Sequence, residues 1–313
     1  MNLPSRHCQK NGNGRFPVRL ALAAVLLCVA ASTHAAGRLD KKVIAEASGA
    51  SVTTTPDGIV RIGWSRTDVA VTVDGMKLAP AAGLGSWAAF APMGNGAMVM
   101  GDTVVFEDEV DAAMDTAFAH GLSVTAVHNH FFHDAPKVYF MHIGGNGAPE
   151  ALASGVKAVW AAIRAVRAAH AQPATSFGGP TPVTGQVDAA AVARIVGQPA
   201  TDTQGVAKVT IARNGTMQGM PVGGSMGLST WAAFSGTGQL AAMDGDFIVT
   251  AEESQPVLHA LRKNGIHVVA LHSHMMGEQP NFYFAHFWAT GKVNDLARGF
   301  RAALDAQAAV NKS

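Results

Sequence analysis

Ser86-Trp87-Ala88-Ala89-Phe90, Gly101-Asp102 and His128-Asn129-His130 each return 144 positions later, as Thr230-Trp231-Ala232-Ala233-Phe234, Gly245-Asp246 and His272-Ser273-His274. The same offset carries Asp134-x-Pro136 to Glu278-x-Pro280, Tyr139 to Tyr283 and His142 to His286. One offset held without a gap over that span means that two units share one plan. Residues that stay alike beside divergent neighbours are held there by packing or by chemistry, and the histidines are the most faithful of them.

Working outward, the segment from Asp40 to Ala45 ahead of Gly49 resembles that from Asp188 to Ala193 ahead of Gly197, which extends the repeat upstream. The two units then cover residues 38–171 and 186–313, joined by a linker, 172–185, whose Gly178-Gly179-Pro180 run is rich in turn formers. Within the first unit the pattern predicts a short helix from Asp40, strands near 59–62, 69–73, 87–90 and 98–106, and a helix over 107–120 led by Glu107-Asp108-Glu109. Residues 122–132 and 137–143 read as an antiparallel hairpin, and an alanine-rich helix follows over 149–170. Strands and helices mix without regular βαβ alternation. The fold class is therefore α+β: two tandem homologous units, each a mostly antiparallel sheet with covering helices, packed as a pseudo-dimer.

Residues 1–36 read as a signal peptide. Arg6, Lys10, Arg15 and Arg19 precede an apolar run from Leu20 to Ala31, and small residues at Ala35 and Ala36 suit cleavage. About a dozen apolar residues are too few to span a bilayer core of roughly 30 Å, so no transmembrane segment is expected in the mature protein, which should be periplasmic or secreted. Cys28 follows Leu27 rather than a small residue, which argues against a lipid anchor there. Both cysteines, Cys8 and Cys28, fall in the leader, so disulfides and thiolate ligands are excluded from the mature chain. Taking the leader's four basic residues from the total of 23 leaves 19 against 22 acidic ones, a net of −3 that does not suggest a nucleic-acid partner.

Alternate residues of a strand share a face, so His128 and His130 point the same way, with Cα atoms about 6.5 Å apart. His142 lies on the other strand of the predicted hairpin. A register that pairs it with either histidine brings three imidazoles together; the opposite parity sends it to the far side. His272, His274 and His286 inherit the same argument. Three neutral imidazoles and an open position suit a divalent transition metal such as Zn, Cu, Ni or Fe, and Asp134 and Glu278, in the turn between the histidine strands, are candidate acidic partners. Hydrogen-bonded core histidines would be retained in a repeat just as well, so a non-catalytic envelope module with a histidine-lined pocket, serving a small molecule or an envelope component, stays open beside the metal site.

Tyr139 and Tyr283, three residues before His142 and His286, are expected on the opposite face in packing or hydrogen-bonding roles. Trp87, Phe90, Trp231 and Phe234 read as core anchors, and Asp102 and Asp246, each after glycine, as turn residues. No nucleotide-binding loop or G-x-S-x-G elbow is present, so no nucleotide cofactor is expected and catalytic residues cannot be assigned. His128-Asn129-His130, the following acidic-x-Pro, His142 and Gly144-x-x-Gly147 together resemble the LppY/LpqO family of exported bacterial proteins, over essentially the whole mature chain and in both copies. That resemblance implies export and a duplicated domain of unknown function, and brings no reaction. Asp134 and Ser273 depart from the family's Glu and Asn at those positions.

Overall fold

A computed structural model describes residues 38–312, and the expected leader lies outside the described residues. The first half contains α1 (Lys41–Ser48), β1 (Thr53–Thr54), β2 (Val60–Ser65), β3 (Thr72–Val73), β4 (Met76–Lys77), β5 (Gly85–Met93), β6 (Gly96–Phe106), α2 (Val110–Ala119), β7 (Ser123–His128), β8 (Asp134–Ala135), β9 (Val138–Gly147) and α3 (Pro149–Ala169). The second half repeats the order: α4 (Ala189–Val196), β10 (Ala200–Thr203), β11 (Val206–Ala212), β12 (Gly215–Met217), β13 (Met220–Val222), β14 (Ser229–Gly236), β15 (Ala241–Val249), α5 (Ala251–Lys263), β16 (His267–His272), β17 (Glu278–Gln279), β18 (Tyr283–Gly291) and α6 (Val293–Val310). Both opening helices are capped alike. Asp40 and Asp188 accept from the first turn, and Gly49 and Gly197 end the helices at φ +67° and +72°, a left-handed stop that favours glycine.

Twelve strands form one antiparallel sheet, ordered β1-β2-β5-β6-β9-β7-β16-β18-β15-β14-β11-β10. The order is a palindrome of the two halves. At its centre β7 meets β16 with Val127 opposite Leu271, residues that stand at the repeat offset, so a pseudo-twofold axis passes through the seam. Gln255 strengthens one side of it, accepting from Val124 N at 3.0 Å and donating to Val124 O at 2.8 Å. At the equivalent position Asp111 pairs with Arg262 at 2.8 Å and with His267. The expected α+β class and paired halves are what the structure shows. No helix among the described residues is long and apolar enough to cross a membrane.

Helices cover one face of this sheet. Alternation sends Phe90, Val99, Met141 and Ile143 of the first half, and Phe234, Phe247 and Phe287 of the second, into that shared core with Met114, Trp160, Leu258 and Phe300. Each such side chain contributes about 1.5–3 kcal/mol on burial. Residues of opposite parity look to the other face, where a small three-stranded sheet in each half (β4-β3-β8 and β13-β12-β17) shelters a minor core around Phe106 and Phe140, or around Phe282 and Phe284. An arginine–glutamate pair recurs as well, fully buried between Arg66 and Glu109 at 2.8 Å and partly buried between Arg213 and Glu253 at 3.0 Å.

Three readings need correction. Trp87 and Trp231 are not core anchors. They stand three residues from Phe90 and Phe234, hence on the opposite face, where Arg61 and Lys208 lie 4.7 and 4.4 Å from their rings. The helix expected from residue 107 starts at Val110, because Glu109 turns its buried carboxylate to Arg66 and to Phe106 N. Gly101-Asp102 and Gly245-Asp246 are not turns either, but lie within the long strands β6 and β15.

The glycines there have a packing reason. A Cβ on Gly245 would come within 2.1 Å of the Phe287 ring and 2.5 Å of the Trp231 carbonyl oxygen, and one on Gly101 within 2.9 Å of Trp87 O. Close strand approach therefore forbids a side chain at the position before each aspartate. Gly245→Ala is expected to destabilise the protein by about 1–3 kcal/mol through overpacking, read as a lower urea midpoint at unchanged slope. An unchanged midpoint would contradict this tight approach.

Candidate metal centre

Strand pairing builds both clusters. His142 in β9 lies between Ala126 of β7 and Asp102 of β6, and His286 in β18 between Ala270 of β16 and Asp246 of β15. A register shift between Val124 and Ala126, mirrored between Val268 and Ala270, precedes these pairs. Neither His128 nor His130 pairs directly with His142. His128 lies two residues beyond Ala126, so the parity is the one that gathers the rings on the face away from the helices.

The rings sit alike in the two copies. His128 is centred 5.1 Å from His130 and 5.2 Å from His142, while His272 is 5.0 Å from His274 and 5.1 Å from His286. His130 and His274 have left the strand and stack on Phe140 and Phe284 at 3.3 and 3.4 Å. Among the described residues, only His272, His274 and His286 form a group whose donor atoms all lie within 4.8 Å of one another, close enough to hold a metal ion. A tetrahedral ion with bonds of 2.0–2.1 Å keeps its ligand atoms about 3.4 Å apart, so the rings would close by roughly an ångström around it. His128 Nδ1 and His272 Nδ1 contact the carbonyl oxygens of Asn129 and Ser273 at 3.3 and 3.1 Å. A carbonyl only accepts, so each ring donates from Nδ1 and leaves the Nε2 lone pair free for a cation.

Asp134 and Glu278 are not brought into the imidazole clusters. Asp134 accepts from Val138 N at 2.7 Å and from Lys137 Nζ at 3.0 Å, and Glu278 accepts from Phe282 N at 2.9 Å. Each acid thus ties together the loop that carries the second histidine, and β8 and β17 pin the same loop to the small sheets. The differing lengths of Asp and Glu are tolerated because the contact is with local backbone. His133 holds φ +57° where the other copy has Gly277 at φ +90°, so it serves loop geometry. As expected, the tyrosines face away from the histidines: Tyr139 packs against the main core and reaches Glu107 at 3.5 Å, and Tyr283 is partly exposed.

The residues missed in the sequence are Asp102 and Asp246. Both are buried, with 7% and 2% exposure, and face the rings: His142 Nε2 lies 3.8 Å from Asp102 Oδ1, and Asp246 Oδ2 lies 3.6 Å from His274 Nε2 and 3.9 Å from His286 Nε2. Burial holds the Asp246 carboxyl above the usual carboxylate range, with His286 and His272 pulling it back. Burial also lowers His274 below the ordinary histidine value, reinforced by His272 and His286; His130 is lowered in the same way, with Asp102 opposing. The first site opens into a cleft of about 380 Å³ bordered by Ser65, Gly83, Asp102, His130 and Phe140. A larger concavity of about 720 Å³ is lined by Glu107, Asp111, Tyr139, Phe177, His267 and Trp288, and by none of the six clustered histidines.

An α+β chain of two copies, with a histidine cluster in each, is the class that fold and site define. The family model described as "Domain of Unknown Function (DUF1259)" matches residues 42–162 and again 190–306, and the chain belongs to that family. No curated protein matches it. Among solved structures it is similar to EutL from Clostridium perfringens (14% identity, 69% of this chain and 81% of that one, TM-score 0.19). EtuB from Clostridium kluyveri shows 12% identity over 83% of this chain and 91% of its own, at TM-score 0.22. The trimeric bacterial microcompartment shell protein PduB shows 9% identity over 82% and 89%, at TM-score 0.20.

Lowered values for His130 and His274 mean that the folded, metal-free protein resists protonation there more than the unfolded chain does. Their contribution to stability is complete above roughly pH 6.5 and is lost as the pH falls through and below that value. Imidazole proton shifts in the metal-free protein should show His274 titrating below 6.5. Titration at or above 6.5 would contradict the partial desolvation of that ring.

Proposed function

We propose that this protein binds a divalent transition metal, Zn, Cu, Ni or Fe, at its histidine clusters, one in each copy. The observation that carries the reading is the convergence of His272, His274 and His286, with donor atoms within 4.8 Å, on a sheet face that helices leave open. Free Nε2 positions on His128 and His272 and the low proton affinity of His130 and His274 favour the neutral, ligating form. His274 and His286 side chains are about a third exposed, which leaves an ion accessible to a water molecule or a substrate. Metal-dependent hydrolytic or redox chemistry would use that access. We further propose an exported, periplasmic location, supported by the leader-like residues 1–36 and by the resemblance to LppY/LpqO proteins.

A second reading, a non-catalytic binding module of the envelope, is favoured by the 720 Å³ concavity, whose size suits a small organic ligand. Metal analysis of protein purified without a histidine tag separates the two. Stoichiometric metal in the parent and none in the His130→Ala, His274→Ala double variant is expected, with the circular dichroism spectrum unchanged because other side chains carry the core. Equal metal contents, or a parent that binds none at neutral pH, would defeat the metal reading and favour the module.

A further inference from the structure

We propose that Asp102 and Asp246 supply the fourth ligand of the two sites, making each a cage of three imidazoles and one carboxylate for a divalent cation. The inference rests on the metal reading above and goes beyond it in naming the oxygen donor and the class of ion.

Strand register, rather than a flexible loop, places these acids. Asp102 is the direct cross-strand partner of His142, and Asp246 of His286, so acid and imidazole must share a face. The Asp246 side chain is 3% exposed and that of Asp102 11%, and Oδ1 of each is buried with no hydrogen-bond partner among the described residues. A buried carboxylate oxygen without a donor is costly, and such groups call for a partner that the polypeptide does not provide. In the first copy the orphaned oxygen is the very atom that faces His142 Nε2 at 3.8 Å. Glu278 Oε2 is buried without a partner too, but the other oxygen of that carboxylate is engaged by Phe282 N.

Distance distinguishes a ligand from an acid that merely orients a ring. An orienting carboxylate takes a hydrogen bond of about 2.7–2.9 Å from the nitrogen opposite the metal. Here the oxygens approach Nε2 at 3.6, 3.8 and 3.9 Å, too far for that bond and close to the separation that two ligands of one tetrahedral ion keep, about 3.4 Å. At the first histidine of each triad, His128 and His272, Nδ1 already has its backbone acceptor. A set of three nitrogens and one oxygen, with no thiolate or thioether, suits a divalent ion better than copper(I). One negative charge among three neutral rings also offsets part of the ion's charge in a half-buried site.

Zinc and cobalt(II) titrations of the untagged full-length chain test this, comparing the parent with Asp246→Asn and Asp102→Asn. Each substitution should weaken zinc at one site by about a hundredfold or more while the other site keeps its affinity, and should change the cobalt visible spectrum of the affected site. Without metal, Asp246→Asn should melt no lower than the parent, since a buried charge has been removed, yet it should gain less on zinc addition. Should Asp246→Asn fail to fold, Asp102→Asn tests the same geometry in the other copy. Parent-like zinc affinity together with a parent-like cobalt spectrum in the folded variants overturns the carboxylate ligand and leaves the histidine reading standing. A parent that takes up neither ion overturns both.

Discussion

Everything about this site follows from the register between two neighbouring strands in each half. β6 against β9 sets Asp102 beside His142, and β15 against β18 sets Asp246 beside His286. Slipping either pair by one residue would turn the aspartate into the helix-covered core and core side chains such as Val99 or Phe247 out to the open face. The register is held from the core side by Phe247, Phe287 and Met141, and by glycines that admit no Cβ where the strands come closest. Polar chemistry on one face is thus specified by hydrophobic packing on the other.

The two sites belong to one sheet rather than to two independent domains. Six strands from each half meet at β7 and β16, where equivalent residues pair about a pseudo-twofold axis, and a common core continues beneath them. The seam is asymmetric in its polar contacts, with Gln255 bridging to backbone on one side and Asp111 bound to Arg262 and His267 on the other. Divergence between copies has therefore been accommodated at the contact between them, while the histidine geometry was kept within 0.1 Å in ring spacing for the first two pairs of each cluster.

Much of this was legible in the sequence, for identifiable reasons. The fixed offset made the repeat visible, and the hairpin left the meeting of the three rings as one of two parities; β7 ends at His128, so His130 reaches the cluster from the loop and not by strand alternation. The parity survives the register shift near Ala126 because His142 pairs two residues short of His128. What could not be read was which strand lies on the other side of β9. Asp102 is forty positions from His142, and nothing local announces that β6 is its neighbour, so a glycine–aspartate pair read as a turn. The repeated Gly-Asp dipeptide was the available signal. Asp134 and Glu278 misled in the opposite way: closeness in sequence put them near the histidines, but each found a backbone N–H four residues on.

The most direct test of the account is diffraction from zinc-loaded crystals with data collected at the zinc absorption edge. The account predicts an anomalous peak in each half, bounded by His128, His130, His142 and Asp102 in one and by His272, His274, His286 and Asp246 in the other, at bond lengths of about 2.0–2.2 Å. Anomalous density elsewhere on the surface, with the six imidazoles splayed and hydrogen-bonded to protein, would contradict it.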